Sequence, residues 1–159
     1  MKINSLVFIL IVFVFFIQCE PPHFYQEQKS VKNEWNKDLA LNFSFEIKDT
    51  LGKYNFFFLS RNNNEYPYSN LYLFTKLTTP KGEIFSDTLH YYLAFQDGEW
   101  VGTGGNLKEL YLLYRENISL KDTGTYEFSV WHGMREEKLT GIEDLSLIVD
   151  KIDSNGNTK

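Results

Sequence analysis

The stretch Leu41-Asn42-Phe43-Ser44-Phe45-Glu46-Ile47 carries an apolar residue at every second position. Successive side chains of a β-strand point to opposite faces, so this alternation predicts a strand with one buried face. The same alternation returns in residues 89–95, 126–130 and 145–149, and Leu71, Leu73 and Leu77 would share one face of a further strand. We therefore expect these segments to pack their apolar faces on a common core.

Short apolar runs and turn signals complete the predicted fold. Residues 54–59 and 110–114 form runs that predict buried strands, the first covered on both faces. Turn residues separate the runs at Gly52, Asn62-Asn63-Asn64, Pro80-Lys81-Gly82, Asp97-Gly98 and Gly124. The pattern predicts an all-β fold. More specifically, we expect a single antiparallel β-sandwich, Greek-key or jelly-roll-like, of about seven or eight strands.

Composition agrees with one β-domain and excludes several classes of function. The chain has 159 residues, of which 43% are hydrophobic, 17% aromatic and 23% charged. That is enough for one core and too apolar for a disordered chain. The net charge of −5 argues against nucleic-acid binding, which needs a basic surface. Cys19 is the only cysteine, so no internal disulfide and no multi-cysteine metal site can form.

The amino terminus has the pattern of an export signal. Lys2 precedes an apolar run over residues 6–17, which is shorter than the ~20 residues of a membrane-spanning helix and is typical of a secretory signal. Phe16-Ile17-Gln18-Cys19 resembles a bacterial lipobox, although Gln18 replaces the usual small residue. We therefore expect cleavage before Cys19 and its acylation, which anchors the protein to a membrane. A free thiol near a conventional cleavage site is the alternative.

The predicted organisation has four parts. Residues 1–18 form the lipoprotein signal peptide, residues 19–37 a lipidated polar tether, residues 38–150 the β-sandwich and residues 151–159 a flexible tail. Glu20 stands after the cysteine, where an aspartate retains lipoproteins in the inner membrane of some bacteria. The predicted location is the cell envelope, with the lipid in the outer membrane and the domain facing the periplasm.

One motif is predicted to have a structural role. Asp122-Thr123-Gly124-Thr125-Tyr126 resembles the tyrosine corner of immunoglobulin-like domains. In that motif the phenol bonds to nearby backbone and fixes a corner between two sheets. An ordinary turn followed by a strand tyrosine is the alternative.

The sequence offers no specific motif for catalysis, metal binding or a cofactor. His23, His90 and His132 lack the spacing of a helical metal pair, and the glycines of residues 102–105 do not open the helix that a phosphate loop requires. A Gly-x-Ser-x-Gly elbow is absent. We expect no catalytic residue, no metal and no cofactor. The acidic pairs at 136–137 and 143–144 leave a hydrolase with two carboxylates as an open alternative.

The segment 61–70 is polar, aromatic and rich in turn residues, which suits a binding loop on a rigid sheet. Arginine and asparagine supply directional donors, and aromatic rings supply contact area. The partner would be a protein or, as the alternative, a carbohydrate such as peptidoglycan. For Tyr72 and Trp100 a place in the core is an equally open interpretation. The residues predicted to contact a partner are Arg61, Asn62, Tyr66, Tyr68, Asn70 and Trp100.

Motifs spread over nearly the whole mature chain match one known family. The most specific pieces are Tyr66-Pro67-x-x-Asn70 and Gly98-x-Trp100-x-Gly102-x-Gly104. With the smaller matches at Pro80-x-Gly82, Met134-Arg135 and Leu139-x-Gly141-Ile142, they make the chain similar to the gliding-motility lipoprotein family GldH.

The resemblance carries expectations that composition and spacing do not supply. It implies a cell-envelope lipoprotein required for surface gliding, acting as a non-catalytic scaffold. It also implies partners among the other gliding-motility lipoproteins and the type IX secretion machinery. The family brings no catalytic residues that would map onto this chain.

Overall fold

The computed structural model describes residues 23–152. Within that range the chain forms ten β-strands and no helix, so none of the described segments is a helix that could span a membrane. The predicted signal peptide, Cys19 and residues 153–159 lie outside the described range. The strands are β1 (Tyr25–Ser30), β2 (Glu34–Asn36), β3 (Leu41–Ile47), β4 (Lys53–Asn62), β5 (Asn70–Thr78), β6 (Ile84–Tyr92), β7 (Lys108–Ser119), β8 (Gly124–His132), β9 (Lys138–Thr140) and β10 (Ile142–Ile152).

Two four-stranded antiparallel sheets carry the fold, one in the order β1-β10-β4-β7 and the other in the order β3-β8-β5-β6. A two-stranded ribbon, β2-β9, accompanies them. The predicted all-β sandwich is confirmed. The described residues contain ten strands, more than the predicted seven or eight, because β1, β2 and β9 are short or largely polar and leave no apolar pattern.

The prediction that residues 19–37 form a tether is wrong for residues 25–36. β1 pairs with β10 along its full length, from Tyr25 opposite Val149 to Ser30 opposite Asp144. Trp35 on β2 is fully buried and donates its indole Nε1–H to the carbonyl oxygen of Leu39 at 2.9 Å. Backbone pairing to the edge of β10 stabilises this polar segment, and composition does not reveal it. The predicted tail is likewise too long, because β10 extends to Ile152.

The apolar faces of the two sheets meet in an aromatic core. Phe45 packs on Phe56 with ring centroids 5.8 Å apart, and Phe58 packs on Phe128 at the same separation. The predicted inward positions of residues 41–47, 126–130 and 145–149 are all buried. Such large, interlocked rings fix the relative position of the sheets.

Two expectations about buried strands are wrong. β4 has one buried face, and Phe57 and Leu59 on its other face are only half-buried. β7 alternates, with Leu112 buried between the exposed Tyr111 and Leu113. The strand covered on both faces is β10, which lies between β1 and β4.

The tyrosine corner is confirmed. The Tyr126 hydroxyl donates to the carbonyl oxygen of Asp122 at 3.0 Å and accepts from the backbone N–H of the same residue at 3.1 Å. A carboxylate also joins the two open sheet edges, since Asp87 on β6 accepts from the Tyr114 hydroxyl at 2.6 Å and from Arg115 on β7 at 2.9 Å. Burial, together with this hydrogen bond, raises the pKa of Tyr114 to about 12.

The loops cluster at two opposite ends of the sandwich. The proximal end consists of His23, where the described chain begins, and the loops 48–52, 79–83 and 120–123. The distal end consists of the loops 63–69, 93–107 and 133–137. The predicted partner-binding segment therefore lies at the end remote from His23, where the described chain begins.

Candidate functional site

Hydrogen bonds hold the distal loop 63–69, and two of the predicted contact residues in or beside it are buried. Tyr66 is 4% exposed and donates its hydroxyl to the carbonyl oxygen of Asn70 at 2.7 Å. Asn62 is 1% exposed, at the end of β4. The prediction that these two side chains contact a partner is wrong, because both are enclosed by the loop and the core.

Close backbone approach explains why the loop folds this way. Gly141 has φ of +86°, and a side-chain carbon placed on it would lie 2.2 Å from the backbone nitrogen and Cα of Tyr66. The Asn63 side chain caps the turn by accepting from the backbone N–H of Glu65 at 2.8 Å, and its amide donates to Glu143 at 3.0 Å. A residue without a side chain is therefore required at position 141.

Arg61 forms a structural ion pair. Its guanidinium donates to both carboxylate oxygens of Asp144, at 2.8 Å to Oδ1 and 2.6 Å to Oδ2. The Asp144 side chain is only 5% exposed, and Glu109 lies 3.7 Å from the same guanidinium. The hydrogen bond to Asp144 raises the pKa of Arg61. Hydrogen bonds to Asp144 thus engage Nε and Nη2 of Arg61, while its side chain remains 28% exposed.

Trp100 joins two distal loops. Its indole Nε1–H donates to the Asn64 side-chain oxygen at 3.2 Å, and its ring lies 6.4 Å from that of Tyr66. Trp100 is half-buried. One part of the ring therefore holds the loops together while the rest faces solvent.

Tyr68 and Asn70 line an open groove of about 320 Å³ at the distal end. The Tyr68 hydroxyl donates to the Glu136 carboxylate, and this hydrogen bond lowers the pKa of Glu136. At the bottom of the groove, the Sδ of Met134 accepts a hydrogen bond from the backbone N–H of Tyr72 at 3.4 Å, which links Met134 to β5. The groove is lined by Tyr68, Asn70, Tyr72, Met134, Arg135 and Glu136.

The groove continues into a row of exposed aromatic side chains on the outer surface of the sheet β3-β8-β5-β6. The exposed fractions are 37% for Tyr72, 45% for Phe74 and 67% for Tyr92. The register places Tyr72 opposite His90, and Phe74 opposite Trp131. We call this surface the aromatic face; it comprises Tyr72, Phe74, His90, Tyr92 and Trp131.

Three rings of the aromatic face, those of Tyr72, His90 and Tyr92, pack against one another. Tyr72 and His90 are parallel within 11°, with centroids 4.4 Å apart, which requires the two rings to stack face to face. Tyr92 packs against His90 at 4.7 Å. The faces at which Tyr72 and His90 stack are thus withdrawn from solvent. A sequence signal for this face exists, because residues 72, 74, 90 and 92 occupy the solvent side of predicted alternating strands.

His132 is a buried histidine beneath the distal end. It is 1% exposed, its ring meets that of Trp35 edge-on at 5.5 Å, and within residues 23–152 neither ring nitrogen has a hydrogen-bond partner. Burial lowers its pKa below the ordinary value of 6.5. The imidazole is therefore held neutral by the fold.

Replacement of His132 by leucine is expected to raise the free energy of unfolding by about 1–2 kcal/mol, because an unpaired buried polar group is removed. The native protein should lose stability as the pH falls below about 6.5, since only the unfolded state then binds the proton. Urea denaturation at pH 8 and pH 5 measures both effects. A variant that loses as much stability as the native protein between these pH values would contradict this role of His132.

The acidic pairs take part in structural contacts. Glu136 binds Tyr68, Glu137 lies 3.9 Å from Lys37, Glu143 binds Asn63, and Asp144 binds Arg61. Among the described residues, no group of three or more histidine, cysteine, aspartate or glutamate side chains is placed to hold a metal ion. The glycines of residues 102–105 lie in a loop before β7, as the sequence indicates.

Comparison with known proteins identifies the family. The family described as GldH lipoprotein matches residues 23–149. The chain is 38% identical to the gliding motility lipoprotein GldH homolog of Christiangramia forsetii, over 92% of this chain and 98% of that protein. It is 35% identical to the gliding motility lipoprotein GldH of Flavobacterium johnsoniae, over 94% of each.

Among solved structures, the VP2 subviral particle of infectious bursal disease virus is similar at 16% identity, with a TM-score of 0.35 over 79% of this chain and 29% of that one. That likeness is too remote to carry any inference about function. The family match and both bacterial relatives, in contrast, extend over most of the chain. The protein therefore belongs to the GldH lipoprotein family.

Proposed function

We propose that the protein is a lipid-anchored, non-catalytic component of the bacterial gliding-motility machinery that works by binding other envelope proteins. The names of its two relatives support the role in gliding. Family membership and the single cysteine, Cys19, support an acyl anchor at that residue. In this proposal the anchor lies in the outer membrane, the domain faces the periplasm, and the partners belong to the gliding lipoproteins and the type IX secretion apparatus.

The observation that carries the proposal is the aromatic face with its adjoining groove. Exposed aromatic side chains in a row on a rigid sheet provide apolar contact area at little entropic cost, as in protein interfaces. Arg135 and Glu136 supply charges of both signs beside them. Tyr68, Asn70 and the solvent-facing part of Trp100 belong to the same end of the molecule. We therefore place the partner contact on these residues together with the aromatic face.

A protein partner fits the ring orientation better than a glycan. Sugar rings stack on open aromatic faces, whereas Tyr72 and His90 each cover one face of the other ring, which reduces the open stacking area. Tyr92, which is 67% exposed, is the member best placed to stack on a sugar and so favours the alternative of a peptidoglycan- or polysaccharide-binding protein. Titration of the full chain in detergent against a glycan panel separates the two, and saturable binding would favour the alternative.

Motility of substituted strains tests the proposal. The double substitution Tyr72→Ser and Tyr92→Ser should reduce gliding at least tenfold, because it removes two exposed rings from the aromatic face. The matched control is Tyr111→Ser with Leu113→Ser, two exposed residues on the outer surface of the other sheet, 58% and 43% exposed. This control should glide normally. Equal amounts of folded, membrane-bound protein must be present in both strains, and normal gliding of the first would refute the proposed surface.

A further inference from the structure

The amino-terminal connection to the membrane is short. His23 lies beside Asp150 at the proximal end, and Cys19 precedes it by four residue steps, which span at most about 14 Å. An anchor at Cys19 therefore holds the proximal end close to the bilayer surface. This inference rests on the lipid anchor of the proposed function and concerns how the domain sits on the membrane.

We propose that the proximal end of the sandwich rests on the bilayer, with Leu51 inserted at the level of the lipid head groups. Leu51 is 95% exposed at the tip of the loop 48–52, the largest exposure among the exposed apolar residues of the described chain. Transfer of such a side chain from water to an apolar environment lowers the free energy of the system. A bilayer that the short connection brings within reach is the surface available to cover it.

The loop presents Leu51 in a fixed position. The Asp49 carboxylate accepts from the backbone N–H of Leu51 at 2.9 Å and from Lys151 at 3.0 Å. A side chain on Gly52 would lie 2.8 Å from the Lys151 side chain, so the turn is tightly packed behind its tip. The exposure of Leu51 is therefore built into the loop.

The other proximal loops add apolar surface around the same end. Ile84 and Phe85, at the start of β6, are 58% and 48% exposed. An open cavity of about 280 Å³ lies between the loops 79–83 and 120–123, and Phe85, Ile118 and Leu120 contribute to its apolar wall. An apolar side chain at a loop tip, next to a cavity with an apolar wall, is suited to the boundary between head groups and acyl chains.

Exposed lysines border this apolar surface. Lys48, Lys81 and Lys121 stand one in each proximal loop. Lys81 also contacts Asp122 at 2.5 Å, and Glu83 contributes an opposing charge. Asp49, Glu83 and Asp122 balance these lysines loop by loop, so the three proximal loops carry no net side-chain charge. The proposed contact with the bilayer therefore depends on the apolar side chains and not on attraction to anionic head groups.

The orientation has a consequence for the aromatic face. Tyr72 lies six residues before Thr78, the proximal end of β5, which corresponds to about 20 Å along a strand. With the proximal end on the bilayer, the aromatic face is held at that height and turned sideways. Partner proteins would then contact the aromatic face above the lipid head groups rather than within the head-group layer.

Depth-dependent fluorescence quenching tests the orientation on the complete lipidated protein. Leu51→Cys and, as the matched control at the distal end, Gln96→Cys are each labelled with an environment-sensitive dye, since acylated Cys19 offers no thiol. Both residues are exposed, so neither change disturbs the core. The proteins are bound to vesicles of phosphatidylethanolamine and phosphatidylglycerol that carry a nitroxide on the head group.

The dye at position 51 should be quenched at least fivefold more than the dye at position 96. Equal and weak quenching at both positions, on protein that floats with the vesicles, would overturn the orientation and leave the anchor intact. Protein that does not float would overturn the anchor and, with it, the orientation. Stronger quenching at position 96 would mean that the opposite end faces the bilayer.

Discussion

Gly141→Ala is expected to lower the free energy of unfolding by more than about 4 kcal/mol, a loss that few single substitutions reach. The added methyl group would lie 2.2 Å from the backbone of Tyr66, where only displacement of the main chain can relieve the overlap. The left-handed backbone at φ of +86° adds about 1–2 kcal/mol for any residue with a side chain. Urea denaturation of the purified protein gives the value.

Gly98→Ala is the matched control for that substitution. Gly98 has the same φ of +86°, but a side-chain carbon there has no heavy atom within 4 Å. The Gly98→Ala variant should therefore lose only about 1–2 kcal/mol of its free energy of unfolding, which is the backbone contribution alone. Equal losses at positions 98 and 141 would show that the close approach of Gly141 to Tyr66 does not support the distal loop.

Arg61→Leu is expected to destabilise the fold by about 3–5 kcal/mol, because it leaves a buried carboxylate without its charge partner. Asp144 is 5% exposed at its side chain and takes both of its shortest contacts from Arg61. Chemical denaturation of the single variant measures the loss. The double variant Arg61→Leu with Asp144→Leu should recover most of it, since no uncompensated charge then remains buried.

The same pair of variants separates a structural role of Arg61 from a partner contact. A structural role predicts loss of stability in the single variant and recovery in the double one. If Arg61→Leu kept full stability yet abolished gliding, the original prediction of a partner contact at this residue would be correct and the present assignment wrong.

The strands that pack on the core were predictable because burial leaves a period of two in the sequence. Apolar and polar residues alternate in 41–47 and 126–130, and in both strands the apolar side chains are buried as predicted. β1 escaped prediction because its residues, such as Gln26 and Gln28, are mostly polar. Its position depends on backbone hydrogen bonds to β10, and every residue type except proline can make these.

The candidate site was harder to predict than the fold. Tyr66 and Tyr68 belong to one local motif, yet one is buried and the other lines the groove, because Gly141 admits the backbone of Tyr66 so closely. No local pattern encodes that long-range approach. The aromatic face, in contrast, could have been predicted from the sequence. Phe74 and Tyr92 interrupt the polar side of strands whose apolar side faces the core.

Site-specific photocrosslinking in living cells tests the central claim most directly. A benzophenone amino acid replaces Tyr92 on the aromatic face in one strain and Leu113 on the opposite sheet in the other. A defined covalent adduct with another envelope protein is expected at position 92, and none is expected at position 113. No protein adduct at position 92, or the same adducts at both positions, would contradict that claim.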